Sequence, residues 1–188
     1  MSERIGVLGS LCNPPHVGHV ALARAAAEQL GLGRVLLIPT GLPSHRDAPP
    51  EPPSVRLQLA EAAAADEPVL ECSSVEVDRD GPSYMADTLE LLRGYLGAPL
   101  VLLLGADQYA TLDTWHDPDR VRALATLAVA PRAGAEPELE EGVERIAMPV
   151  VDVSSTDIRR RVAAGESIDG LVTPGVARVI AERGLYRA

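Results

Sequence analysis

The 188-residue chain contains no phenylalanine and no lysine, and it has only two cysteines. Aromatic residues make up 3% of the chain, so its core must be built from Ala, Leu, Val and Ile, which favours helices packed against β-branched strands. Two cysteines in no metal or redox spacing exclude a disulfide framework. With 46% hydrophobic and 23% charged residues, the chain has the composition of an ordinary globular domain, which excludes disorder.

The chain also lacks long apolar runs and positive charge. No run approaches the roughly 20 residues that span a bilayer, and residues 1–4 form neither a basic leader nor a cleavable signal, so we expect a cytoplasmic protein. All 17 basic residues are arginine, and the formal net charge is -10. Such a chain is a poor general ligand for nucleic acid or an anionic membrane. A phosphate ligand would need a local pocket.

Extended and helical patterns alternate along the chain. This alternation predicts an α/β fold: a Rossmann-like, doubly wound parallel sheet flanked by helices, in a single domain over 1–188 whose C-terminal helical part, 154–188, packs on it. The proline-rich segment 41–53 is predicted to be a surface loop or lid, and 133–142 an acidic loop. Strands are predicted at 4–8, 35–39, 69–77, 100–104, 127–130 and 146–153, and helices at 17–30, 54–65 (capped by Ser54), 83–96, 121–125 and after 154 and 173.

The first strand-to-helix junction carries two histidines. Ligands of doubly wound sheets bind beyond the carboxyl ends of the strands, where this junction lies. His16 and His19 can share one helix face, Gly18 permits a phosphate close to the backbone, and the helix N-terminus adds partial positive charge. This pattern favours a polyphosphate site. Two alternatives remain: the histidines simply cap the helix, or they bind a metal, for which they supply only two ligands.

The last strand-to-helix junction reads Ser-Ser-Thr-Asp-Ile-Arg over 154–159. Ser154 and Asp157 fit a capping box, so a well-made helix start is the simple interpretation. Hydroxyl groups next to Arg159 in a chain so short of positive charge favour a phosphate site instead, because a guanidinium grips two phosphate oxygens at once.

These two segments resemble the HxGH (16–19) and SSTxIR (154–159) signatures of the nucleotidyltransferase superfamily. Segments 83–89, 104–108, 114–116, 172–174 and 183–186 narrow the resemblance to bacterial nicotinate-nucleotide adenylyltransferases. The resemblance covers the chain from Ile5 to Tyr186. It implies that ATP, bound with Mg²⁺, reacts with nicotinate mononucleotide to give deamido-NAD and pyrophosphate in NAD biosynthesis. The mononucleotide phosphate would attack the ATP α-phosphorus directly, so positioning and charge stabilisation would supply the rate.

The resemblance also implies roles for individual residues, and it assigns no metal ligand to the protein. The implied catalytic residues are His16, His19 and Arg159. The implied ATP-binding residues are Gly9, Ser10, Gly18, Gly105, Asp107, Ser155 and Thr156. The implied mononucleotide-binding residues are Tyr84, Met85, Trp115, His45 and Arg46.

Several of these residues also have plainer interpretations. A lone tryptophan such as Trp115 is more often a partly buried core residue, and Tyr84 is equally suited to packing. Charged loop residues such as His45 and Arg46 are more often solvated. Cys12 has no base at any readable spacing, so we interpret it as a packing residue.

The sequence departs from the family at Ser10-Leu11-Cys12, where a second Gly, a Thr or Ser, and an aromatic residue are usual. Leu11 cannot donate a hydroxyl hydrogen bond. Met85 stands where the family often has Thr. The alternatives are the same chemistry on nicotinamide mononucleotide or phosphopantetheine, a non-catalytic nucleotide-binding sensor, and a small metallohydrolase. The choice of the acid over the amide rests on the resemblance, and a homo-oligomer is left open.

Overall fold

A computed structural model describes residues 3–44, 48–131 and 138–187. Its centre is a six-stranded sheet in the order β3-β2-β1-β4-β5-β6, and all neighbouring strands are parallel. From β1 the strand order runs to one side of the sheet through β2 and β3 and to the other side through β4, β5 and β6. Ligands of such sheets bind beyond the carboxyl ends of the strands at the point where the order switches, here between β1 and β4. The strands are β1 (Arg4–Ser10), β2 (Leu32–Pro39), β3 (Leu70–Cys72), β4 (Leu100–Gly105), β5 (Ala125–Ala130) and β6 (Glu144–Arg145).

Helices cover both faces of the sheet. α1 ends at Gly31, whose φ of 62° suits the left-handed position that closes a helix. α7 begins with the Thr173 side chain accepting from the Val176 amide and has proline at its first position. The helices are α1 (Val17–Leu30), α2 (Pro53–Ala65), α3 (Met85–Leu96), α4 (Ala106–Ala110), α5 (Pro118–Leu124), α6 (Ser155–Ala163) and α7 (Pro174–Arg183).

Two hydrophobic clusters lie on opposite faces of the sheet. Alternate residues of β4 serve both, because Val101 and Leu103 belong to the cluster under α1, α2, α6 and α7, whereas Leu102 and Leu104 belong to the cluster under α3 and α5. A strand buried on both faces reads as a continuous apolar run, as the sequence does here. The predicted fold class is confirmed: a single doubly wound α/β domain.

Some local predictions are wrong. Only Leu70–Cys72 of the predicted strand 69–77 pairs in the sheet, and segment 146–153 is not a strand. Pro149 cannot donate to a ladder, and Ile146 and Val153 pack against the helices instead. Ser54 does not cap α2, whose N-cap is Pro52. α4 and a 3-10 helix at Leu112–Thr114 were not predicted.

Among the residues that the structure describes, no helix has the length and apolar character needed to cross a bilayer.

Candidate functional site

The loop after β1 places two imidazoles against each other at the start of α1. The Gly18 amide donates to His16 Nδ1 at 3.2 Å, and the His16 amide donates to His19 Nδ1 at 3.1 Å. The ring centroids lie 3.9 Å apart. Because each Nδ1 accepts a backbone hydrogen bond, the proton of each neutral ring lies on Nε2. The histidines therefore cap the helix and also share one face of it.

The Ser10 hydroxyl lies beside this pair. It is 3.0 Å from His19 Nε2 and accepts from the Cys12 amide at 3.2 Å. Cys12 has a φ of 54°, in the left-handed region that non-glycine residues seldom adopt. Burial raises the pKa of the Cys12 thiol to about 12, so it stays protonated at neutral pH. Cys12 is thus a core residue and not a nucleophile.

The start of α6 docks on the same loop. Arg159 Nη1 donates to the Asn13 carbonyl at 2.7 Å, and the Ser155 hydroxyl donates to the Pro14 carbonyl at 2.8 Å. Arg159 Nη2 also lies 3.3 Å from Thr156 Oγ1. Two segments that are about 140 residues apart in the sequence are therefore in direct contact at the carboxyl end of β1.

Close packing explains why glycine occupies positions 9 and 18. A Cβ on Gly9 would lie 2.7 Å from Met85 Cε, so the Met85 side chain lies over the end of β1. A Cβ on Gly18 would lie 3.0 Å from the His16 ring and 3.4 Å from Val153. A side chain at position 18 would displace the imidazole whose orientation the loop fixes.

A second group of predicted residues lies around the N-terminus of α3 and the end of β4. Tyr84 and His116 stack with their ring centroids 4.1 Å apart. Trp115 is half-buried and packs against the cluster under α3 and α5. Gly105 ends β4, and Asp107 follows it on the exposed side of α4. His45 and Arg46 lie outside the described residues.

The buried Glu76 lies between α3 and the start of the proline-rich loop, and it contacts both. Burial raises the pKa of its carboxyl, and the Thr88 hydroxyl donates to Oε1 at 2.7 Å. Gly41 lies against the backbone of Glu76, where a Cβ would come 2.1 Å from the carbonyl oxygen. The Gly41 amide donates to Ser83 Oγ at 3.0 Å, so the start of the proline-rich loop is fixed beside Tyr84.

Gly41→Ala is expected to destabilise the fold, because the contact is with backbone that cannot rotate away. Overpacking of this kind costs about 1–3 kcal/mol, which lowers the melting temperature of a chain this long by about 2–12 °C. Gly94→Ala is the matched control: Gly94 lies in α3 with no atom within 4 Å of an added Cβ. There the alanine gains up to about 1 kcal/mol of helix propensity. Equal melting temperatures for the two variants would contradict this interpretation.

Sequence reasoning missed four residues around the first loop. Arg56, Asn13, Glu51 and Tyr186 form a network beneath it, with Asn13 Nδ2 donating to Glu51 Oε2 and the Tyr186 hydroxyl donating to Asn13 Oδ1, both at 2.7 Å. Glu51 and Arg56 are five residues apart, but Asn13 and Tyr186 lie far from them in the sequence, so no short motif contains all four. The one available signal was an arginine in an Ala-rich helix of a chain poor in positive charge.

Within 3–44, 48–131 and 138–187 there is no group of three His, Cys, Asp or Glu side chains that could hold a metal ion.

The chain matches known proteins over nearly its whole length. Residues 8–161 match the family model described as Cytidylyltransferase-like. A protein of Roseiflexus sp. (strain RS-1), named probable nicotinate-nucleotide adenylyltransferase, is 41% identical over 99% of this chain and 99% of its own length. A protein of the same name from Thermomicrobium roseum is 39% identical over 98% of this chain and 92% of its own length.

A solved structure has the same fold. The nicotinic acid mononucleotide adenylyltransferase of Plasmodium falciparum, solved with NaAD, superimposes with a TM-score of 0.82 over 98% of this chain and 97% of its own. At 11% identity, this likeness concerns the fold alone. The relatives from Roseiflexus and Thermomicrobium share much more of their sequence with this chain.

Proposed function

Because the chain belongs to the nicotinate-nucleotide adenylyltransferase family, we propose that it transfers the adenylyl group of ATP to nicotinate mononucleotide. An oxygen of the mononucleotide phosphate forms a bond to the ATP α-phosphorus. The bond from that phosphorus to the bridging oxygen breaks, and pyrophosphate leaves. The products are deamido-NAD and pyrophosphate, in the cytoplasm. The docking of the α6 start on the first loop carries the proposal, because the two segments predicted to bind phosphate are in direct contact.

The ATP phosphates lie between these two segments in this proposal. His16 and His19 donate through Nε2 to phosphate oxygens and offset the charge that builds up at the α-phosphorus. The Ser10 hydroxyl accepts from the Cys12 amide and lies 3.0 Å from His19 Nε2, and its own hydrogen serves as a further donor. Arg159 holds the phosphates that leave as pyrophosphate, together with Ser155 and Thr156 at the start of α6. Gly9 and Gly18 keep side-chain bulk out of this space.

The mononucleotide lies on the side of α3 and α4. The pyridine ring stacks on Trp115, and Tyr84 and Met85 border the same space at the start of α3. The stacked Tyr84 and His116 rings support this placement, because they bring the start of α3 next to the segment that contains Trp115. Gly105 and Asp107 line the adenosine side at the end of β4. His45 and Arg46, which lie outside the described residues, stay predicted mononucleotide-binding residues.

ATP would bring Mg²⁺ into the site in this proposal, and the ion would supply neutralisation of charge on the leaving pyrophosphate. The residues of this chain position the nucleotide around it: the two imidazoles at the α-phosphoryl group and the Arg159 guanidinium at the far phosphates.

The test is pyrophosphate release from ATP and Mg²⁺ with each of three acceptors. Nicotinate mononucleotide should give the highest kcat/KM, followed by nicotinamide mononucleotide. A preference for phosphopantetheine would overturn the NAD assignment. No release above background with any acceptor would favour a nucleotide-binding sensor, and full activity with Mg²⁺ on a sample stripped of transition metals would exclude a metallohydrolase that uses the two histidines.

Trp115→Ala is expected to raise KM for nicotinate mononucleotide, because loss of a stacking partner for a base costs ~1 to 3 kcal/mol. KM for ATP should stay close to that of the wild type. Tyr95→Ala is the control, since it also removes an aromatic ring but from a side chain that is 88% exposed on α3. An unchanged mononucleotide KM in the Trp115 variant would make this residue a packing residue.

A further inference from the structure

Arg56 is the largest fully buried side chain of the described residues, with 1% of its surface exposed. It lies in the first turn of α2, where side chains point back towards the helix N-terminus. Its guanidinium donates to main-chain carbonyls on all sides, and burial lowers its pKa from the usual value. The group nevertheless keeps its charge, because a guanidinium is not deprotonated in proteins.

The four carbonyls come from three separate segments. Arg56 Nη1 donates to Leu11 of the first loop at 3.1 Å and also to Thr40. Nη2 donates to Gly41 at 2.7 Å, and Nε donates to Glu51 at 3.2 Å. We call this group the carbonyl clamp: the Arg56 guanidinium with the carbonyls of Leu11, Thr40, Gly41 and Glu51.

Two of the three clamped segments lead to different sides of the proposed site. The first loop continues through Asn13 to the two imidazoles and to Arg159, whose guanidinium is held by the Asn13 carbonyl at 2.7 Å. The Gly41 amide is bonded to Ser83 Oγ, next to Tyr84. The clamp therefore lies between the segment that binds ATP phosphates and the segment that borders the mononucleotide.

A second link runs through Asn13. Its side chain, 3% exposed, joins Glu51 Oε2 to the hydroxyl of Tyr186 near the end of the described chain. The side chain of Glu51 and its carbonyl thus hold the same loop from two directions. A loop with one residue at a positive φ and no regular hydrogen-bond ladder needs such external support.

We propose that Arg56 is a positioning residue for the adenylyl transfer: the carbonyl clamp sets the distance between the ATP-phosphate loop and the mononucleotide side of the site. This inference rests on the proposed function. A buried charge is an expensive way to gain stability, since apolar residues of similar volume often do as well or better. A planar fork with five donors, however, can fix three segments at defined separations, and an ammonium on one nitrogen cannot.

The test compares Arg56→Lys with the wild type at a temperature well below the melting transition of both. Misplacing reacting groups by about 1 Å can cost about a hundredfold in rate, so we expect kcat to fall about tenfold or more. The dissociation constant for ATP should change little, because the imidazoles and Arg159 remain. Amide hydrogen exchange should become faster in 10–13 and in 40–44 together.

Arg24→Lys is the matched control. Arg24 makes two hydrogen bonds to the buried Glu67, at 2.6 and 2.7 Å, away from the clamp. This variant should keep the wild-type kcat and the wild-type exchange in 10–13 and 40–44. A wild-type kcat in folded Arg56→Lys would overturn the proposal, and so would a fall in kcat of the same size in the Arg24 variant.

Chemical complementation keeps the proposal testable if Arg56→Lys does not fold. In Arg56→Ala, added guanidinium should restore both the melting temperature and kcat, whereas urea at the same concentration should restore neither. Recovery of the melting temperature without kcat would contradict a positioning role. If the wild type itself is inactive with ATP and nicotinate mononucleotide, the proposed function fails, and the exchange rates of 10–13 and 40–44 still decide whether the clamp joins the two segments.

Discussion

Replacing His19 by glutamine is expected to lower kcat/KM for ATP by about a hundredfold to a thousandfold, the loss typical of one donor that stabilises transition-state charge. The expected loss is chemical and not structural. Glutamine at the third helical position can reach back to the N-cap amide, as in a capping box, and so replace the bond that His16 N makes to His19 Nδ1.

The comparison with His19→Ala separates the two roles of the ring. Alanine removes both the cap and the imidazole, and loss of the cap costs about 1 kcal/mol of stability. We expect both variants to be equally inactive in pyrophosphate release but only the alanine variant to melt at a lower temperature. A glutamine variant with near wild-type kcat/KM would make His19 a capping residue alone.

Arg159→Ala is expected to raise KM for ATP by about 10- to 100-fold, since hydrogen bonds to charged groups contribute about 1.5–3 kcal/mol. Binding of nicotinate mononucleotide should be almost unaffected, because in the proposed function Arg159 holds only the phosphates of ATP that leave as pyrophosphate. Steady-state kinetics with each substrate varied in turn provides the measurement. Equal losses for the two substrates would contradict the assignment.

The next residue supplies the control for Arg159. Arg160 is exposed and pairs with Asp157 at 2.9 Å and Glu166 at 3.0 Å on the outer side of α6. Exposed ion pairs contribute about 0–1 kcal/mol, so Arg160→Ala should leave both KM values close to those of the wild type. The two variants remove the same charge from adjacent positions. A difference between them therefore reports on the site and not on net charge.

Strong local signals made much of the fold predictable. The predicted helix 17–30 matches α1, because an Ala- and Leu-rich segment ends at a glycine suited to the left-handed position. The apolar run 100–104 became β4, buried on both faces. The junctions after β1 and before α6 were located correctly in the chain, since cap residues mark both.

Tertiary context decided the rest. Segment 146–153 has the apolar residues of a strand but packs on helices, and β6 formed from the charged pair Glu144–Arg145 beside β5. A buried arginine such as Arg56 gives no periodic signal, because its partners are main-chain carbonyls of three separate segments, 5 to 45 residues away in the sequence. Such a cluster exists only once the chain has folded.

The unusual Ser10-Leu11-Cys12 loop also has a physical explanation. Leu11 offers no hydroxyl, but its carbonyl accepts from Arg56, and the Ser10 hydroxyl lies 3.0 Å from His19 Nε2. Cys12 fills a core position where its thiol is buried. The loop thus keeps one hydroxyl next to the histidines, one position earlier in the sequence than the usual one.

In the proposed site, two loops that are distant in the sequence bind the triphosphate of one ATP molecule. A double-mutant cycle of His19→Gln and Arg159→Ala, measured on kcat/KM for ATP, tests this shared binding most directly. If both side chains act on the same bound triphosphate, the two effects should be coupled by about 0.5–3 kcal/mol. Strictly additive effects would mean that the two residues act at independent places, and would contradict the claim.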